Sequence, residues 1–234
     1  MRMNKYYIFL IAHKPILNPE KIKVFEKLNE YYSVYLNSLL YLNWIEILSS
    51  LKENIDFHLI FNQKDKDFIP KNFIPDSGKL ILLESGTGKS LLNVFKNLQF
   101  NRHTRQIFIF FNSIKIKRED ITKALDLLAI EDQAIVIGKS EKERIAFLGT
   151  NCGNEKILKQ MFSKNTAYGK LLNGISKEDI FIQTIDNFLS IVNFNDVKKL
   201  YIELSKKDSL SFCSENMQER FNDLFVEYKD LLNE

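Results

Sequence analysis

The sequence predicts an α/β protein whose helices pack on a mostly parallel sheet. Three observations carry that prediction. The apolar runs 6–12 (YYIFLIA), 107–111 (IFIFF) and 134–137 (AIVI) are too short for helices and read as strands buried on both faces. Between the last two the period changes: Ile121, Leu125 and Leu128 fall three to four residues apart and share one helix face. Strand, helix, strand is a βαβ unit, which lays its helix over a parallel sheet and places any site near the carboxyl ends of the strands.

Taken in order, residues 6–12 form the first strand, and the loop HKPILNPEKIK follows with its prolines and lysines. Residues 20–52, rich in aliphatic and aromatic side chains such as Leu36, Leu40 and Trp44, read as one long helix or two successive ones. A short strand at 57–61 and a charged, proline-containing loop at 62–78 come next. The strand at 80–83 runs into ESGTGKS, where Gly88, Lys89 and Ser90 match the second half of a phosphate-binding P-loop. Its first glycine would fall on Leu83, so the tight turn that aims amides at a phosphate is missing. The stretch still opens a helix at 91–98, and helix amino ends favour anions, so Gly86 and Lys89 are candidate phosphate contacts. A ligand-free glycine turn is the alternative.

After the central unit, 145–148 (IAFL) is a third apolar run before Gly149. Helices are expected at 155–162 and 177–187, a final strand at 190–194 and a helix at 196–204, capped by Asn195 or Asp196. Residues 214–232 carry Met217, Phe221, Leu224, Phe225, Tyr228, Leu231 and Leu232 on one stripe, the pattern of an amphipathic helix. No repeat or low-complexity linker interrupts the chain. One α/β domain over 1–205 with a helical extension over 206–234 packed on it is therefore expected, a homodimer contact through that last helix being the alternative.

Composition bounds the function. The 234 residues are 45% hydrophobic and 27% charged, ordinary for a globular chain that buries a sizeable core. Thirty-three basic against 30 acidic residues leave a formal charge of +3, which does not suggest a nucleic-acid binder. Cys152 and Cys213 form no spacing motif, nor do His13, His58 and His103, so neither a disulfide framework nor a structural metal is expected, and a cytoplasmic location fits. No apolar run is long enough to span a membrane.

The central stretch also carries a family resemblance. Phe110, Phe111, Asn112, Ser113 and Ile114 stand where the bacterial glycosyltransferase-A-like proteins have a strand entering Gly-Thr-Asp-Ser-Pro. Lys142, Glu143, Arg144 and Ile145, before Phe147, Leu148 and Gly149, stand where they have Asp-Gly-Gly-Tyr and a Leu-Ile-Gly ending. The chain thus resembles a divergent member of that family, within the nucleotide-diphospho-sugar transferase superfamily, over about its first two hundred residues. The resemblance implies a three-layer α/β/α fold and a nucleotide-diphospho-sugar or phosphosugar partner. It places Ala12, Lys14, Lys21 and Lys23 beside the nucleotide phosphates, with Lys23 in place of an arginine, and Asn112 and Ser113 at the turn after the central strand. Lys142 and Arg144 fall in the substrate cleft.

Fold relatives use a carboxylate pair to hold magnesium or manganese against the diphosphate. Here the key acid is Asn112, the later motif aspartate is Lys142, and the late Asp-x-Asp is Ser190, Ile191 and Val192. No metal ligand and no catalytic residue is assigned, and magnesium or manganese stays only as what the resemblance implies. Two functions follow: sugar or nucleotidyl transfer on a nucleotide-diphospho-sugar, with Lys142 or Arg144 supplying the metal's charge, or a non-catalytic binding or scaffold role on the same fold.

Overall fold

The computed structural model describes residues 5–51, 55–76, 78–85, 88–97, 104–152, 159, 162 and 167–233. Strands β1 (Lys5–Ala12), β2 (Ile55–Asn62), β3 (Gly78–Leu83), β4 (Thr104–Phe110), β5 (Ser113–Ile114), β6 (Ala134–Ser140), β7 (Arg144–Thr150) and β8 (Phe181–Ser190) lie in the order β3-β2-β1-β4-β7-β6-β8-β5. All run parallel except β7 and β5. The α/β class and the mostly parallel sheet are as the sequence predicts.

Period-two alternation divides the core into two layers. Ile8, Leu10 and Ala12 of β1 face α1 (Glu30–Ser49), α3 (Arg118–Ile130), α5 (Phe194–Leu204) and α6 (Glu215–Glu227). Phe9 and Ile11 face α2 (Gly88–Asn97) and α4 (Tyr168–Ile175) through Leu91, Phe95, Leu171 and Ile175. Both sheet faces are thus covered, which is why β1, β4 and β6 each carry an uninterrupted apolar run, at 6–12, 107–110 and 134–137. The helix predicted after the central strand buries Ile121, Ala124, Leu125 and Leu128, and the Asp120 carboxylate accepts from the Lys117 N–H at its start.

Four expectations need correction. The βαβ unit is split: β4 and β6 are parallel, but β7 lies between them and is antiparallel to both, because the 145–148 run folds back as a hairpin. Helix α1 begins only at Glu30, where Asn29 accepts from the Tyr32 N–H; around Pro19 the chain turns instead, Ile22 N–H donating to the Asn18 carbonyl. Residues 177–187 are not a helix and 190–194 not a strand: β8 takes Phe181–Ser190, its β-branched and aromatic residues pairing with β6 and tertiary pairing overriding a mixed local pattern. An extra residue in β8 is absorbed by Asn187, in the left-handed region at φ 78°. Finally, 214–232 is two helices, α6 and α7 (Lys229–Asn233), broken at Tyr228. Its apolar stripe is spent within the chain, against α1 and α5. The predicted helix at 155–162 lies outside the described residues except 159 and 162.

Gly138 marks the bulge between β6 and β7. A Cβ there would stand 2.2 Å from the Phe147 ring, which lies across the glycine and is itself fully buried. Among the described residues no helix is long and apolar enough to cross a membrane.

Candidate functional site at the carboxyl edge of the sheet

The parallel strands end on one edge, where β7 begins, so His13, Lys14, Ser85, Asn112, Ser140 and Arg144 share it. Chain length forces part of this edge shut. From Phe110 to Ser113 the backbone reaches at most about 10 Å, whereas four strand spacings separate β4 from β5 in a flat sheet, roughly 19 Å. The end of β8, past its Asn187 bulge, therefore folds back over the ends of β6 and β7 to meet β5. Hydrogen bonds record the fold-over. Ser190 Oγ donates to Ser140 Oγ at 3.0 Å, and Ser113 Oγ donates at 3.1 Å to the carbonyl of Ala146, the residue left over at the β6–β7 bulge.

Most of the candidate residues here have partners within the chain. Asn112 is tied twice to Ile191, its Nδ2 donating to that carbonyl at 3.0 Å and its own carbonyl accepting the Ile191 N–H at 2.8 Å. Ser113 is 1% exposed and its carbonyl accepts from Trp44 Nε1 at 2.8 Å. Arg144 donates through Nη1 to Asp196 Oδ2 at 2.8 Å and to the Ser190 carbonyl at 3.1 Å. Asp196, with a side chain 2% exposed, also accepts the N–H groups of Val192 and Asn193. The cap of α5 is accordingly Asn193, which accepts from the Asp196 N–H, and neither Asn195 nor Asp196 is the cap.

At the other end of the edge the loop after β1 stays open to solvent. Ala12 is buried as the last residue of β1, and Lys14, Lys21 and Lys23 are exposed. Gly86 and the side chains of Lys89 and Lys142 lie outside the described residues. Ser85 and Ser90 share a hydroxyl–hydroxyl bond of 2.6 Å across the turn before α2.

Three features escaped the sequence. Asp65, fully buried, accepts from the N–H groups of Ile16, Leu17 and Asn18. Burial pushes its carboxyl up while those amides oppose the shift. Lys139 Nζ lies 2.7 Å from Glu143 and 4.7 Å from the centre of the Tyr168 ring. His58 is buried against Phe9, ring centres 4.9 Å apart, and neither of its ring nitrogens has a hydrogen-bond partner among the described residues. Residue type alone signals none of these, since each depends on which elements meet.

Burial and neighbouring Lys14 push the His13 imidazole down to about 4, and burial with Lys79 lowers His58. A depressed histidine stays neutral in the folded chain while the unfolded chain takes up the proton. The stability involved is whole above the free value of 6.5 and is lost as pH falls towards 4. Acidification from pH 7 to 5 should therefore cost about 2 kcal/mol through His13 alone. Urea midpoints at the two pH values test this, and His13→Gln should flatten the dependence; unchanged or greater stability at pH 5 would sink it.

Among the described residues the donor set does not fit a resident magnesium or manganese ion. Hard cations want carboxylate oxygens, yet the Asn112 amide is turned to Ile191 and Asp196 Oδ2 is taken by Arg144 and two amides. Glu141 and Glu143 are paired with Lys199 and Lys139. No group of three histidine, cysteine or acidic side chains converges among the described residues.

No family model and no curated protein matches the sequence. Solved structures do match. A provisionally named nucleotide-diphospho-sugar transferase from Desulfovibrio desulfuricans G20 superposes with a TM-score of 0.74 at 13% identity, over 99% of this chain and 98% of that one. The fold is that of the nucleotide-diphospho-sugar transferases. Rv0371c of Mycobacterium tuberculosis H37Rv, in complex with manganese, gives 0.53 at 8% identity over 86% of this chain and 98% of that one. The 4-diphosphocytidyl-2C-methyl-D-erythritol synthase of Anaerococcus prevotii DSM 20548 gives 0.51 at 12% identity over 94% and 96%. These likenesses speak to architecture alone.

Proposed function

We propose that this chain is a glycosyltransferase-like protein that binds a nucleotide-diphospho-sugar or a phosphosugar at the open end of the carboxyl edge, without metal-dependent turnover. The observation that carries this reading is the Arg144–Asp196 pair. It and the Asn112–Ile191 tie consume the groups that a metal-assisted transfer would need free. The exposed Lys14, Lys21 and Lys23 remain to meet a diphosphate as point charges. Transfer without a metal is the second reading, favoured by the Arg144 side chain being 30% exposed and so still able to reach an anion.

Calorimetric titration with UDP-, GDP-, CDP- and ADP-sugars, with and without manganese, tests the proposal. Binding of one nucleotide class at an affinity indifferent to manganese is expected, with no release of nucleoside diphosphate above the uncatalysed rate. The Lys14→Ala, Lys21→Ala, Lys23→Ala triple variant should bind roughly 10²-fold more weakly, from about 1 kcal/mol per contact. Metal-dependent turnover, or no binding to any of the four, would overturn the reading.

A further inference from the structure

The loop after β1 faces two ways. Outward it shows Lys14, Lys21 and Lys23; inward it buries Ile16 and Leu17 and sends three consecutive N–H groups, of Ile16, Leu17 and Asn18, to one carboxylate. The distances are 2.9 Å from Ile16 to Asp65 Oδ2, and 2.9 Å from each of Leu17 and Asn18 to Oδ1. Successive amides converging in this way make an anion-binding concavity. Here the anion is the chain's own, delivered by the 3-10 turn Gln63–Phe68 that follows β2.

The contact is stitched at both margins. Asn62 Nδ2 donates to the His13 carbonyl at 3.0 Å, Asn62 Oδ1 accepts the Lys64 N–H, and Asn18 Nδ2 donates to the Lys64 carbonyl at 2.9 Å. The Ile16 carbonyl is held from α1 by Asn37. All of these but the Asn62–Lys64 bond join the lysine loop to another part of the chain, so its 13–18 stretch is shaped from outside, and the turn at Asn18 that leads to Lys21 and Lys23 is built on that stretch.

From this geometry we infer that Asp65 is a positioning residue for ligand binding: it fixes the loop that carries Lys14, Lys21 and Lys23, and by filling the amide concavity leaves only side-chain charge to hold an anion. The ligand class that suits such a site is a polyanion recognised by charge, a diphosphate before a single neutral sugar. Its affinity should fall steeply with salt, because exposed lysine–phosphate contacts are screened. The inference rests on the binding reading above for its ligand, but not for its loop.

Asp65→Asn keeps the size of the side chain, replaces one acceptor oxygen by a donor and removes the charge, whereas Asp65→Ala risks the fold. Three readouts on full-length Asp65→Asn decide the matter. Amide hydrogen exchange at Ile16, Leu17 and Asn18 should accelerate at least ~10-fold while β1 and β2 stay protected, since one charge-assisted acceptor site is lost. The acetylation rates of Lys14, Lys21 and Lys23 relative to one another should change as the loop that spaces them loosens. Affinity for inorganic pyrophosphate, and for whichever nucleotide sugar binds, should drop by a similar factor at a temperature where the variant is fully folded. Unchanged exchange would overturn the clamp, and faster exchange with unchanged affinity would reduce Asp65 to a structural brace. If wild-type protein binds neither probe, the functional reading fails and takes the ligand-positioning role of Asp65 with it, and exchange and lysine reactivity then judge the loop clamp alone.

Discussion

Asp196→Ala is expected to destabilise the protein by about 3–5 kcal/mol, because it strands a partly buried guanidinium and undoes a helix start together. The carboxylate accepts from Arg144, Val192 and Asn193, and alanine replaces none of those acceptors. Urea unfolding should show a lower midpoint with an unchanged slope. A double-mutant cycle with Arg144→Met separates the pair from the cap. A coupling near 2 kcal/mol is expected, and a single-variant loss under about 1 kcal/mol would show that the edge is held by other contacts.

Phe147→Ala is expected to cost a comparable 3–5 kcal/mol, at the upper end of that range. The ring is fully buried, packs on Phe188 with centres 5.6 Å apart, and lies over Gly138, which has no side chain to collapse into the void. That arrangement makes a sharp second test. Gly138→Ala alone should destabilise by about 1–3 kcal/mol through overpacking. Combined with Phe147→Ala, it should recover part of the loss, since the new methyl enters the vacated space. Strict additivity of the two changes would contradict the packing described.

The sequence made the strands of the central sheet legible because burial on both faces leaves an unmistakable mark: residues 6–12, 107–111 and 134–137 are apolar without interruption. It made α3 legible for the complementary reason, a one-sided stripe. Strand β8 was not legible, because it runs from an exposed start at Phe181 to a buried end at Ser190 and carries a bulge at Asn187, so neither period survives along it. At the site, that positions 112 and 142 hold no acid could be read from residue types. That Arg144 would be met by Asp196 could not, since the two are brought together only when β8 folds over β7. Asp65 was hidden for the same reason: a buried carboxylate looks like any surface acid until its three amide partners are known.

The two-residue ladder between β5 and β8 has a consequence for how the chain is made. It joins Ser113 and Ile114 to Ser190 and Leu189, so it cannot close until the ribosome has released nearly all of the α/β core. The β1–β2 and β1–β4 ladders need only the first half of the chain. The open, lysine-bearing end of the edge can therefore be shaped early in synthesis, while the end that Arg144 and Asp196 seal waits for the last strand and the helix after it. A nascent chain would carry a half-finished edge for much of its translation, with the unpaired side of β4 waiting for β7, and long-range pairings of this kind are where folding is slowest.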